Sequence, residues 1–128
     1  GQLYMRLYEF TIELAQVNDI HVHSTITPEL EKVKLSMIQR KNLYLICKEA
    51  INNAVKHSSC KNIYFLLSKN QSHLNISIKD DGKGLDEKKL TKGNGLINME
   101  YRADEMKAEM SRSSDENGVK IQISFKIT

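Results

Sequence analysis

Between Lys41 and His57 the chain reads KNLYLICKEAINNAVKH, a run whose apolar spacing fits a helix. Leu43, Cys47, Ala50, Ile51 and Ala54 recur at i, i+4, i+7, i+8 and i+11, so they share one face that belongs on a core. The other side carries Glu49, Asn53 and Lys56, which fall within roughly 60° of arc at about 100° per residue. An acid, an amide and an ammonium are thus presented together by a helix whose opposite face is buried. That set suits a magnesium–phosphate ligand, because the neutral amide oxygen can coordinate a hard cation without adding charge. A merely solvated face would not need the amide.

The flanking segments supply something for this helix to cover. Leu3, Leu7, Phe10, Leu14 and Val17 predict an amphipathic helix ending near Asn18-Asp19. His21–Ile26 reads as a short strand and Thr27-Pro28-Glu29 as a turn. The β-branched and aromatic content of Asn62–Ser68 predicts a buried strand. Leu74, Ile76 and Ile78 alternate with Asn75, Ser77 and Lys79, a half-buried strand that runs into Asp80. Gly82–Gly93 is a loop, and Gly95–Met110 is a second helix with Leu96, Met99, Ala103, Met106 and Met110 on one stripe. Val119, Ile121, Ile123, Phe125 and Ile127 form a period-2 strand, joined through a turn at Asp115–Gly118 to a strand near Met110–Ser114. Helices and strands interleave, but the closing strands are antiparallel neighbours. The expected fold class is therefore an α/β two-layer sandwich (α+β), with helices on one face of a mixed sheet.

A chain of 128 residues fits a single domain, 1–128, and is long enough to bury a core. No apolar run approaches the ~20 residues of a membrane span, and the start GQLYMRLYEF has no basic leader before an apolar block. The net charge of +3 is too small to argue for nucleic acid, and no recognition-helix pattern or basic stripe accompanies it. The two cysteines, Cys47 and Cys60, lack CxxC spacing, and Cys47 lies on the apolar helix face as a reduced core residue. His21 and His23 share a strand face without a third ligand, so no metal is expected there.

Two further stations follow the helix: Asp80-Asp81-Gly82-Lys83-Gly84, then Gly93-Asn94-Gly95-Leu96. DDGKG alone reads equally as a surface turn, and it lacks the oxygen ligands of a calcium loop. GNGL alone is two glycines before a helix. In this order, on these elements, the three stations resemble the asparagine box and the two glycine boxes of the GHKL ATPases. That superfamily takes in gyrase-type topoisomerases, a heat-shock chaperone class, the MutL proteins and histidine kinases. The catalytic and ATP-binding domain of bacterial two-component sensor histidine kinases is the nearest match. KHS and GNGLINMEYRADEM look most like its nitrate- and desaturase-sensor subgroup. The resemblance spans roughly Lys41 to Thr128 with motifs and implies the Bergerat fold, with ATP between the helix layer and a lid.

The resemblance also implies roles. Asp80 would accept a hydrogen bond from the adenine amino group, with Gly82 and Gly84 letting the backbone approach the purine. Asn53 would be the Mg²⁺ ligand and Lys56 would approach a phosphate. Glu49 would polarise an attacking water or order metal-bound water. His57 occupies a place often held by a ring residue and is not taken as the phosphoacceptor. Gly93, Asn94, Gly95 and Leu96 would offer a helix N-terminus to the phosphates; Ile97 stands where fuller versions of this box carry another glycine. The lid between Gly84 and Gly93 is short and has no aromatic residue. Lys83, just before it, and Lys88, Lys89 and Lys92 within it are read mainly as solubilising.

The implied function is a histidine protein kinase catalytic domain with ATP and Mg²⁺ as cofactors. It would donate the γ-phosphoryl group to a histidine on a separate dimerisation domain, for relay to a response regulator. The helix predicted over 3–17 contains no histidine, so the expectation is a domain excised from a larger, membrane-anchored sensor. Its place would be cytoplasmic, with no direct membrane or nucleic-acid contact. Two rival readings are an anti-sigma-factor type serine kinase and a non-catalytic nucleotide-gated binding module of the same fold.

Overall fold

A computed structural model describes residues 9, 11–13, 15–26, 33–57, 60–82 and 94–127, with Ile26, His57 and 94–96 described in backbone only. Five strands form one mixed sheet: β1 (His21–Ile26), β2 (Asn62–Asn70), β3 (His73–Asp80), β4 (Glu109–Asp115) and β5 (Gly118–Lys126). Their order across the sheet is β1-β2-β3-β5-β4. β1 runs parallel to β2, and the β2–β3, β3–β5 and β4–β5 pairs are antiparallel. Two helices, α1 (Met37–His57) and α2 (Asn94–Glu105), pack on each other, and α1 also packs on β3.

Strand alternation explains why the helices cover one face. In β2, Ile63, Phe65 and Leu67 are buried while Tyr64 and Leu66 are 42% and 45% exposed. Leu74, Ile76 and Ile78 of β3 and Ile121, Ile123 and Phe125 of β5 extend the buried face. Leu43, Ile46, Cys47, Ala50, Ile51 and Ala54 of α1 meet them, which confirms the predicted helix face and adds Ile46. Each large aliphatic or aromatic side chain so buried contributes about 1.5–3 kcal/mol relative to exposure. Burial pushes the Cys47 thiol up to about 12, the value of an inert core residue. Among the described residues no helix is long and apolar enough to cross a membrane.

Three boundaries differ from the sequence expectations, each for a local reason. α1 begins at Met37 rather than Lys41, because Ser36 and Gln39 form a capping box. Ser36 Oγ accepts from Gln39 N at 3.1 Å and Gln39 Oε1 accepts from Ser36 N at 3.0 Å. Gln39 Nε2 also donates to the Lys126 carbonyl at 3.2 Å, fastening the helix start to the end of β5.

α2 ends at Glu105 instead of continuing to Met110. Lys107 takes a left-handed φ of 58°, while Lys107 N and Ala108 N reach back to the carbonyls of Asp104 and Ala103. This is a Schellman closure with lysine in the position glycine usually holds. Met99, Ala103 and Met106 are buried as expected, but Met110 lies in β4, paired with Ile123.

Before β1, residues 9, 11–13 and 15–18 are helical and Asp19, at φ 57°, ends the stretch where predicted. Its buried positions are Thr11 and Ala15, whereas Val17 is 85% exposed and does not belong to the apolar stripe. Two residues beyond Ala15 in a helix is about 200° around the axis, so both cannot face the core. Leu3, Leu7, Phe10, Leu14 and the 27–29 turn lie outside the described residues.

Candidate nucleotide site

The parity of β3 fixes where Asp80 points. Ile78 is buried, Lys79 exposed and Asp80 buried, so the carboxylate lies on the helix-covered side of the sheet at the strand's last residue. At 3% exposure a carboxylate must be hydrogen-bonded. Asp80 Oδ1 accepts from Gly82 N at 2.9 Å and from Val119 N at 3.3 Å. The first bond turns the chain sharply after β3, and the second ties the carboxylate to the start of β5.

Gly118 completes this grip. Its φ is +131°, and a Cβ there would overlap the Asp80 carbonyl oxygen and lie 3.1 Å from Asp80 Oδ1. Glycine is required here on both counts. In the sequence Gly118 shows only as the end of a hairpin turn. Its proximity to Asp80 arises from the β3–β5 pairing, which no local pattern reveals.

The next residue is anchored on the opposite side. Asp81 Oδ1 accepts from the backbone N–H groups of Lys61 and Asn62, both at 2.8 Å, and Oδ2 accepts from Asn62 Nδ2 at 2.8 Å. Asp81 N donates to the Asn62 carbonyl at 3.2 Å. Desolvation raises the Asp81 pKa, but the Asn62 side-chain and the backbone hydrogen bonds outweigh it and hold the carboxyl below its usual value.

On α1, Glu49 and Asn53 are half-buried and Lys56 is exposed, in keeping with a polar edge beside the buried stripe. His57 is the last helical residue. Asn94, Gly95 and Leu96, the last three residues of the GNGL station, open α2; Ile97, next along, is 61% exposed. α1 packs against both β3 and α2, so the asparagine-bearing helix adjoins the strand that ends in Asp80 and the helix that starts in GNGL. Gly84, Gly93, Lys83, Lys88, Lys89 and Lys92 lie outside the described residues.

Asn42 is a further polar residue that sequence reasoning missed. Fully buried, it donates from Nδ2 to the Ile38 carbonyl at 3.0 Å and to Glu105 Oε1 at 3.2 Å, linking α1 to the end of α2. Its Oδ1 has no hydrogen-bond partner among the described residues. Among those residues no group of three or more His, Cys, Asp or Glu side chains is placed to hold a metal ion unaided. His23 Nε2 instead lies 2.9 Å from Asn62 Oδ1, and its ring stacks on Tyr64 with centroids 4.7 Å apart.

Residues 38–128 match the family model described as histidine kinase-, DNA gyrase B- and HSP90-like ATPase. The sensor histidine kinase YvfT of Bacillus subtilis (strain 168) is 29% identical over 125 residues, which cover 94% of this chain and 33% of that protein. The histidine-protein kinase/phosphatase DegS of the same organism is 30% identical over 114 residues, 86% of this chain and 29% of the relative. Among solved structures, the catalytic domain of histidine kinase ThkA superposes with a TM-score of 0.80 at 18% identity, covering 99% of this chain and 92% of that one. The histidine kinase domain of an Erythrobacter litoralis blue-light activated histidine kinase gives 0.82 at 18% identity, covering 98% and 61%. At that identity the likeness speaks for the fold. The chain spans between 14% and 33% of the length of the curated relatives it matches.

Proposed function

Because the chain belongs to the histidine kinase-, DNA gyrase B- and HSP90-like ATPase family, we propose that it is the ATP–Mg²⁺-binding catalytic domain of a two-component sensor kinase. The observation that carries this reading is Asp80. It is a buried carboxylate at the end of β3, held by two backbone N–H groups, on the sheet face that α1 covers. A carboxylate so held accepts a hydrogen bond from the adenine amino group and discriminates against a base that presents an oxo group there.

The phosphates extend toward the polar edge of α1 and the N-terminus of α2. Lys56 meets them as a point charge, and the start of α2 at Asn94, Gly95 and Leu96 offers the positive end of the helix dipole. The family resemblance assigns Gly82 and Gly84 to the backbone beside the purine.

The donor set fits Mg²⁺ delivered with the nucleotide. A half-buried Asn53 oxygen with Glu49 one turn away is too sparse to hold a cation unaided, but Mg²⁺ keeps several waters and needs only one or two protein oxygens besides phosphate. Bound there, the ion would neutralise charge developing on the phosphate oxygens. Asn53 supplies its oxygen, Glu49 orders a water, and Asp80 fixes the far end of the nucleotide. The protein's contribution is then positioning and charge stabilisation. The acceptor is a histidine on a separate helical dimerisation domain, with a response regulator beyond it. The parent would be a membrane-anchored sensor with this domain in the cytoplasm.

Titration of the purified chain with ATP and GTP, with and without Mg²⁺, tests the reading. Mg²⁺-dependent binding of ATP, with GTP much weaker, is expected; absence of ATP binding sinks it. Mixing with a histidine-bearing hairpin from a sensor kinase should then give an acid-labile phosphoprotein. An acid-stable product would favour a serine kinase instead.

A further inference from the structure

We infer that Asp81 and Asn62 are positioning residues that set how tightly and how selectively Asp80 takes the adenine of ATP, an inference that rests on the assignment of Asp80 to the base. The geometry is a clamp. On one side, Val119 N bonds the Asp80 carboxylate from β5, and Gly118 lies too close to Asp80 to admit a side chain. On the other, the side chain of Asp81 gathers three donors from Lys61 and Asn62 at the start of β2, and its N–H bonds the Asn62 carbonyl. The peptide unit between the two aspartates is therefore fixed from both neighbouring strands, just where the sheet ladder stops.

The hydrogen-bond logic of the clamp is determinate. An ionised Asp81 can only accept, so Asn62 must turn its Nδ2 toward it and its Oδ1 away. That oxygen faces His23 Nε2 at 2.9 Å, so Nε2 carries the proton. The His23 ring is held in turn by its stack on Tyr64. A chain of contacts thus runs from the uncovered face of the sheet, through Asn62, to the residue beside the base-reading carboxylate.

Substituting single groups gives distinct outcomes. Asn62→Asp places a second carboxylate against Asp81 Oδ2 and forces the two apart. Asp81→Asn alone is tolerated: Oδ1 still accepts the two backbone N–H groups. The Asn62 amide can then flip to accept from the new amide, with His23 changing tautomer to match. Combining Asn62→Asp with Asp81→Asn restores a donor–acceptor pair with its polarity reversed, and His23 Nε2 again has an oxygen to bond.

The experiment measures ATP and GTP affinity and thermal midpoint for the wild-type chain, both single variants, the double variant and Asn62→Ala. Asn62→Asp should lose about tenfold in ATP affinity, with the ATP-to-GTP ratio falling by a similar factor, and the double variant should recover both. Asn62→Ala, which adds no charge, should shift the ratio in the same direction by less, and it carries the test if Asn62→Asp does not fold. A fall in thermal midpoint with an unchanged ATP-to-GTP ratio would reduce the pair to a structural role and overturn the inference. Failure of the folded double variant to recover would do the same. If the wild-type chain itself bound no ATP, the adenine assignment would fall first, and the inference with it.

Discussion

The strand end that carries Asp80 and the helix face that carries Asn53 are built by different means. Backbone N–H groups of Gly82 and Val119 reach the Asp80 carboxylate, and Gly118 leaves no room for a side chain beside its carbonyl. On the polar edge of α1, Asn53 and Glu49 are half-buried and Lys56 is exposed. The first arrangement fixes a group before any ligand arrives. The second leaves long, flexible groups to be organised by the ligand's own charge. On the proposed reading, a rigid group takes the base and an adaptable edge takes the phosphates, as a nucleotide with one invariant end and one reacting end calls for.

The sharpest way to break this contrast is Gly118→Ala. A methyl group there meets the Asp80 carbonyl at a backbone angle alanine rarely adopts, so the variant should lose about 3 kcal/mol of stability in urea unfolding. Wild-type stability would show that the strand end is not rigid. Asp80→Asn should come next. It keeps an oxygen for Gly82 N and Val119 N, so folding survives, but ATP binding should weaken by ~1.5–3 kcal/mol, read by calorimetry. Undiminished affinity would remove the adenine assignment.

Asn53→Ala probes the adaptable side. Thermal stability should move by less than about 1 kcal/mol, while ATP affinity should cease to respond to Mg²⁺. A persisting metal dependence would place the ligand elsewhere. The smallest effect belongs to Asp81. Its folded pKa lies below the ordinary 3.8, so its ionised form stabilises the fold above that value, and the contribution is lost as pH falls through the folded pKa. The small stability gap between wild type and Asp81→Asn should therefore be present at pH 7 and close in acid below 3.8; a gap independent of pH would contradict that.

Much of this architecture was legible from pattern alone. The apolar faces of α1 and β5 could be read because burial on one side imposes a strict spacing, and Leu43, Cys47, Ile121 and Phe125 obey it. Asp80 could be placed at a strand end because the alternation of Leu74, Ile76 and Ile78 runs straight into it. Errors arose where a local bond overrides periodicity. Methionine at 106 and at 110 looked like one helical stripe, but Lys107 closes the helix between them. Val17 fitted the spacing of residues the structure does not describe, yet it faces solvent. What could not be read at all was contact between distant segments. Gly118 beside Asp80, Asn62 beside Asp81 and Asn42 beside Glu105 depend on strand and helix pairings that the chain fixes only when folded.

The fastening of Gln39 to the Lys126 carbonyl has a practical corollary for anyone trimming this protein. A fragment cut at Met37 would discard Ser36, and with it the reciprocal bonds that start α1, and would also strip β1 from the sheet. A fragment stopped before Lys126 would free the same helix from the other end. The smallest piece able to keep its shape must therefore reach back through His21 and forward through the last rung of β5, a wider span than its nucleotide motifs suggest.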